Sequence, residues 1–213
     1  MNKHQRFTLL LWSSAGVLFL LFQIWHGAFE SPLTDEEVEQ YVERFMELNP
    51  DEDRTELRRF LEEDDGKPIV MVNAIQLHDR PVSVNGRDFG DSSAAALNEY
   101  SMFVFGYLIR RGSYPLWTGN AVYDSLEAWG IDNAEQWSSA GLVRYKSRRV
   151  MLEMASDPEF RRFHDAKVAA IQKTFAYPTS TGIATGSLSL TVGLLLLVLT
   201  LVLQLTLGTR QRD

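Results

Sequence analysis

The chain has 213 residues, enough for one soluble domain of ~100–150 residues plus extensions. Its formal net charge of −7 argues against nucleic acid as a partner, and the absence of cysteine removes disulfides, thiolate nucleophiles and Cys-ligated metals. Hydrophobic residues make up 45% and charged residues 23%, averages that conceal two nearly charge-free ends around a polar middle. Much of the negative charge is local: Glu30 to Asp65 carries fifteen Asp and Glu against four Arg.

From Phe7 to Trp25, nineteen residues carry no formal charge, close to the ~20 that a helix needs to cross a ~30 Å bilayer core. Lys3 and Arg6 in front also fit a secretory signal, but a small-x-small cleavage site is missing, since His26 stands two residues before Ala28. An uncleaved anchor is therefore expected. Leu188 to Leu207 is a second apolar run of twenty residues, with only Gln204 strongly polar. A core helix is seldom apolar on every face, so this run is expected to be a transmembrane helix. Lys3 and Arg6 precede the first run and Arg210 and Arg212 follow the second, while the inner flanks hold no Lys or Arg. Flanking bases set orientation. The expected protein is thus two-pass in the cell (inner) membrane, with both termini cytoplasmic and residues ~28–185 extracytoplasmic, in the periplasm of a Gram-negative cell.

Between the two runs, Thr34 with Glu37 forms a capping-box pattern, and Val38, Tyr41, Val42, Phe45 and Met46 make one helical stripe that Asn49-Pro50 ends. A second acidic helix carries Leu57, Phe60 and Leu61 to Gly66. The acidic run lacks the D-x-D-x-D-G spacing of a calcium loop and reads as a solvated helix face. Ile69–Leu77 reads as a buried strand, with Ile69, Met71, Asn73, Ile75 and Leu77 on one face. Asn85-Gly86 predicts a tight turn and a small hairpin arm near Val82–Val84. Asp91-Ser92-Ser93 caps a helix striped by Leu97, Tyr100, Val104, Tyr107 and Leu108 and closed by Arg110-Arg111-Gly112. Tyr114–Tyr123 is extended, Asp124–Ala134 is helix-prone, and Ser139–Tyr145 alternates as a strand. Arg148–Met154 is a short helix. A final helix starts at Ser156 or Asp157 and carries Phe160, Phe163, Val168, Ile171 and Phe175.

The order β-α-β-β-α-(β) is the ferredoxin-like split arrangement, an α+β fold. With Ile69–Leu77, Tyr107 to Thr118, Gly141 to Ser147 and Ser156-Asp157-Pro158-Glu159-Phe160 leading to Ala176-Tyr177-Pro178, about Pro68–Thr179 resembles the dimeric α+β-barrel superfamily. Within it the chain resembles the small uncharacterised family that ends in strand, short helix, S-P-E-[YF] and a terminal helix. That resemblance implies two ferredoxin-like sheets paired across a two-fold axis, so a homodimer, with a cavity between each sheet and its helices. It also implies relatives that oxidise quinols, degrade haem or decolorise dyes. The expected division is 1–27 for a cytoplasmic tip and transmembrane helix, 28–67 for an acidic helical segment, 68–179 for the ferredoxin-like domain and 180–213 for linker, second transmembrane helix and tail.

Residues able to carry chemistry are few. His164 has Asp165 beside it, but neighbours on a helix diverge by about 100° and cannot form a relay, so an exposed histidine among Arg161, Arg162 and Lys167 is expected. His78 stands at a strand exit, and Asn73 is polar within an apolar strand; His78, Asn73 and His164 are the candidate catalytic residues. Asn73, Tyr107, Trp117 and Arg144 are expected to line one ligand-binding cavity, the guanidinium receiving an anionic group. Four histidines and no cysteine support no metal site, and no cofactor is expected. Two functions follow. One is a membrane-anchored binding or assembly module with the bilayer, a second copy and a membrane protein as partners. The other is an oxidoreductase or monooxygenase acting on a quinone or haem.

Overall fold

The structure is a computed structural model that describes residues 1, 3–50, 52–181 and 186–209. The basic residues Arg210 and Arg212 lie outside the described residues. The described residues form seven helices and one four-stranded antiparallel sheet, an α+β architecture. The chain divides into two units, residues 1–29 with 182–213, and residues 30–181.

The first unit is a pair of helices, α1 (Lys3–His26) and α7 (Leu188–Thr209), each long and apolar enough to span a membrane. Some of their polar side chains meet across the pair. Trp12 Nε1 donates to Gln204 Oε1 at 2.7 Å, and near the other end Ser189 Oγ lies 3.0 Å from Gln23 Oε1 and 3.2 Å from His26 Nδ1. Side-chain hydrogen bonds of this kind join neighbouring helices where apolar faces pack.

The second unit opens with a helical hairpin, α2 (Asp35–Leu48) and α3 (Arg54–Glu62). Thr34 forms the predicted capping box with Glu37, and Asn49 closes α2. Val38, Val42 and Leu61 bury against Leu152 of α5 (Arg148–Ala155). The acidic segment is not merely solvated, because three bases around the start of α5 receive it. Lys146 pairs with Glu30 at 2.8 Å, Arg149 holds both Glu37 oxygens at 2.8 Å, and Arg148 reaches the buried Asp64 at 3.6 Å. The Thr34 backbone amide and the Arg149 guanidinium hold the Glu37 carboxyl below its ordinary range, against partial desolvation. Gly66 (φ +71°) closes this segment where the chain crosses itself, since a Cβ there would sit 2.8 Å from Pro32 N.

The sheet follows as β1 (Ile69–Leu77), α4 (Ser93–Arg110), β2 (Tyr114–Asn120), β3 (Ser139–Tyr145), α5, α6 (Pro158–Ala170) and β4 (Ile171–Ser180), in spatial order β2-β3-β1-β4. Asp157, not Ser156, caps α6, with Pro158 in its first turn. The helix ends at Ala170. Ile171 and Phe175, expected on its stripe, belong instead to β4, which pairs with β1 from Leu77 to Ile69; that ladder overrides the helical spacing. Asp124–Ala134 is not a helix. It lies in the β2–β3 loop, where Gly130 and Asn133 take positive φ and Ser125 bonds across to Ala134 and Glu135. The Asn85-Gly86 turn is present, bridging Val84 and Arg87.

α4 and α6 cover one side of the sheet. Ile69 and Tyr145 bury there with Tyr107, Leu108, Met154 and Phe160, and Met71 and Val143 pack against them. Ile69 on this face and Val70 on the other are the buried residues of β1, and the rest of the strand is half-buried.

Candidate functional site

Strand alternation decides which predicted residues can meet. Asn73 shares its face with Ile69 and Met71, the helix-covered side, and its Nδ2 donates to Met71 O at 3.1 Å. Tyr107 is on α4, buried in the core, with the Arg111 guanidinium 3.6 Å above its ring. Trp117 and Arg144 stand opposite Leu142 and Val70 in the ladders, on the other face. The four residues therefore do not line one cavity. The sheet separates Asn73 and Tyr107 from Trp117 and Arg144. Arg144 is buried and donates to Gly112 O at 3.0 Å; desolvation lowers its pKa. A guanidinium held this way supports the β2–β3 end rather than presenting itself to an anion.

His78 follows β1, its amide donating to Ala170 O at 2.9 Å. His164 is not exposed as expected. Its ring lies 5.4 Å from Phe160 and 6.2 Å from Tyr100, and Lys167 Nζ stands 5.6 Å from the Tyr100 ring. Burial, then the Lys167 charge, lowers the His164 pKa to about 4, so the imidazole is neutral near pH 7. Desolvation raises Tyr100 to about 12 and lowers Lys167; it also raises Tyr145, which faces Tyr100. His164 and Tyr100 were singled out separately, but the group forms only where α4, α6 and β3 meet. Among the described residues no three His, Asp or Glu stand together as a metal site would require.

An open recess of about 690 Å³ lies between α2, the end of α4 and the α5–α6 junction. Arg44, Glu47, Arg111, Glu153 and Asp157 line it. Its charges largely answer one another: Glu153 accepts from Tyr41 at 3.4 Å and faces Arg111 at 3.9 Å, and Asp157 caps α6.

The uncovered face of the sheet has a more definite shape. Directly opposed residues place Trp117, Leu142, Val72 and Tyr177 in one row across all four strands, and Gly119, Ala140, Ala74 and Phe175 in the next. Leu142 and Val72 in the first row and the smaller Ala140 and Ala74 in the second thus form the floor of a trough. Trp117 walls one edge; Phe175 and Tyr177, their rings 5.3 Å apart, wall the other. These three aromatics are 54%, 52% and 43% exposed, an unusual amount of aromatic surface to leave in water. Gly119 is required for the wall, because a Cβ there would sit 2.5 Å from the Trp117 ring. Trp117 was singled out from the sequence. Phe175 was missed because it was read on the helical stripe, and Tyr177 because it was read only as part of the closing Ala176-Tyr177-Pro178 run.

No protein-family model matches the chain, and no curated protein matches it. Among solved structures it is similar to the crystal structure of the RPA0582 protein of unknown function from Rhodopseudomonas palustris, a structural-genomics target. That likeness has 22% identity and a TM-score of 0.52, and covers 63% of this chain and 97% of that one. The methylated RPA0582 protein gives 23% identity, the same TM-score, and 64% and 96% coverage. At such identity the likeness speaks to the α+β fold alone.

Proposed function

We propose that this chain is a membrane-anchored, extracytoplasmic binding or assembly module. In this reading residues 68–179 form a ferredoxin-like domain of the dimeric α+β-barrel type, which works as a homodimer. The observation that carries it is the aromatic-walled trough, since apolar surface of this kind repays exposure only when a partner covers it. The strand order β2-β3-β1-β4 around a β-α-β-β-α-α-β chain supports the ferredoxin-like assignment. The two apolar terminal helices and their outer basic flanks support a two-pass topology with both termini cytoplasmic, and leave room for a membrane-protein partner.

Sedimentation of the full chain in detergent tests the module. A dimer at micromolar concentration, converted to monomer by Trp117→Arg with Phe175→Arg, is expected; a wild-type monomer would reject the homodimer. Reporter fusions at each terminus test the topology, and an external terminus would reject it.

A second reading draws on the interior group of His164, Tyr100, Tyr145 and Lys167, where a neutral imidazole stands 6.2 Å from the Tyr100 ring and Tyr145 neighbours Tyr100. It is an oxidoreductase or monooxygenase acting on a quinone or haem. Titration with haemin and a quinol separates the two: a spectral shift or oxygen consumption lost in His164→Ala supports chemistry, and neither response retires it.

A further inference from the structure

The β2–β3 loop, residues 121–138, is the most exposed apolar part of the sheet unit. Its base is held firmly. Ala121 N donates to Ser138 O at 2.9 Å, Ser125 N to Glu135 O at 2.7 Å, and Trp137 Nε1 to Ala134 O at 3.1 Å. Lys173 of β4 donates to Asn133 O and sits 4.7 Å over the Trp137 ring. On this anchored base the tip presents Val122, Tyr123, Leu126, Trp129 and Ile131 at 98%, 78%, 92%, 81% and 56% exposure. A loop left to solvent would carry polar residues at those positions.

Two observations narrow what covers the tip. The loop carries Asp124, Glu127, Asp132 and Glu135 and no Lys or Arg, so an anionic lipid surface or a nucleic acid would repel it. The sheet unit also sends out both its chain ends at the opposite end of the strands. Ser180 pairs with Ile69, Ile69 with Tyr145, and the neighbouring Lys146 holds Glu30. The loop instead leaves from Asn120 and Ser139 beside Ile75, about 20 Å further along the strands. The loop therefore leaves the sheet at the end opposite the unit's own two chain ends.

We propose that the loop is an arm that closes on a second copy of this chain, extending the interface begun by the trough; this rests on the homodimer reading above. The arm is continuous with that face, because β2 and β3 supply both the Trp117 wall and the loop base. Area points the same way. The rim aromatics alone, half exposed, offer roughly 300 Å² per copy, well short of the ~800 Å² per partner of a standard interface. The five tip side chains add roughly 700 Å² and bring the total into that range.

The test uses the full chain in detergent with p-benzoylphenylalanine in place of Leu126. Irradiation is expected to give a covalent product of twice the chain mass. Leu126→Asp with Trp129→Asp is expected to raise the dimer dissociation constant at least ~10-fold while leaving the far-UV spectrum unchanged. A dimer with no self-adduct, or with adducts to detergent or another protein only, overturns the arm and leaves the trough-mediated dimer standing. A wild-type monomer overturns both.

Discussion

The two faces of the sheet are built from the same strands and nearly the same residue types, yet they have opposite fates. On one, Ile69 and Tyr145 are buried under α4 and α6. On the other, Val70 and Arg144 are buried at one end, but beyond them Trp117, Phe175 and Tyr177 stand half exposed. The difference lies in what covers each face, and the bare one shows where assembly surface is to be sought.

That contrast can be broken most severely on the covered side. Leu108, 1% exposed, fills the core between α4 and the sheet. Leu108→Ala is expected to cost about 2–5 kcal/mol in urea unfolding of the full chain. A cost near zero would mean the covered face is not the core.

Acid sharpens the same side. Folding takes His164 from an ordinary pKa of 6.5 down to about 4, so the folded state binds fewer protons between those values. Its stabilisation is complete above pH 6.5 and is lost as pH falls toward 4. The urea midpoint should drop between pH 7 and 5 in the wild type and drop less in His164→Gln. A proton NMR titration placing the His164 midpoint near 6.5 would contradict this burial.

On the open side the expectation reverses. Tyr177→Ser should change monomer stability by no more than about 0.5 kcal/mol, measured at concentrations where the chain is dissociated, yet weaken self-association. The mildest probe is Gly119→Ala. Its added methyl displaces the Trp117 ring while leaving the chain's ladder intact, so the expected change is a several-fold weaker dimer, with the thermal midpoint unchanged at concentrations where the chain is dissociated.

Much of the fold was legible in the chain. Caps at Thr34 and Ser92, the Asn85-Gly86 turn and the alternation in β1 and β3 are local signals, and the structure follows them. What was not legible depended on partners distant in sequence. Ile171 and Phe175 have helical spacing but lie in a ladder with β1 about a hundred residues earlier. The acidic run reads as solvated until Lys146, Arg148 and Arg149 are brought against it. Asn73, Tyr107, Trp117 and Arg144 looked like one lining because no pattern in their spacing reports which side of a sheet each residue takes once α4 intervenes.

The hydrogen bonds that join α1 to α7 bear on more than those helices. With Ser189 held to Gln23 and His26, everything between residues 26 and 189 is in effect a ring. While that clasp holds, an unfolding sheet unit opens into a closed loop instead of a linear coil and gains correspondingly less chain entropy. A covalent closure of a loop this long would amount to about 5 kcal/mol, and a non-covalent clasp recovers part of that. The paired terminal helices thus also protect the domain between them, and one cut near residue 29 would forfeit that protection without touching a single contact inside the sheet.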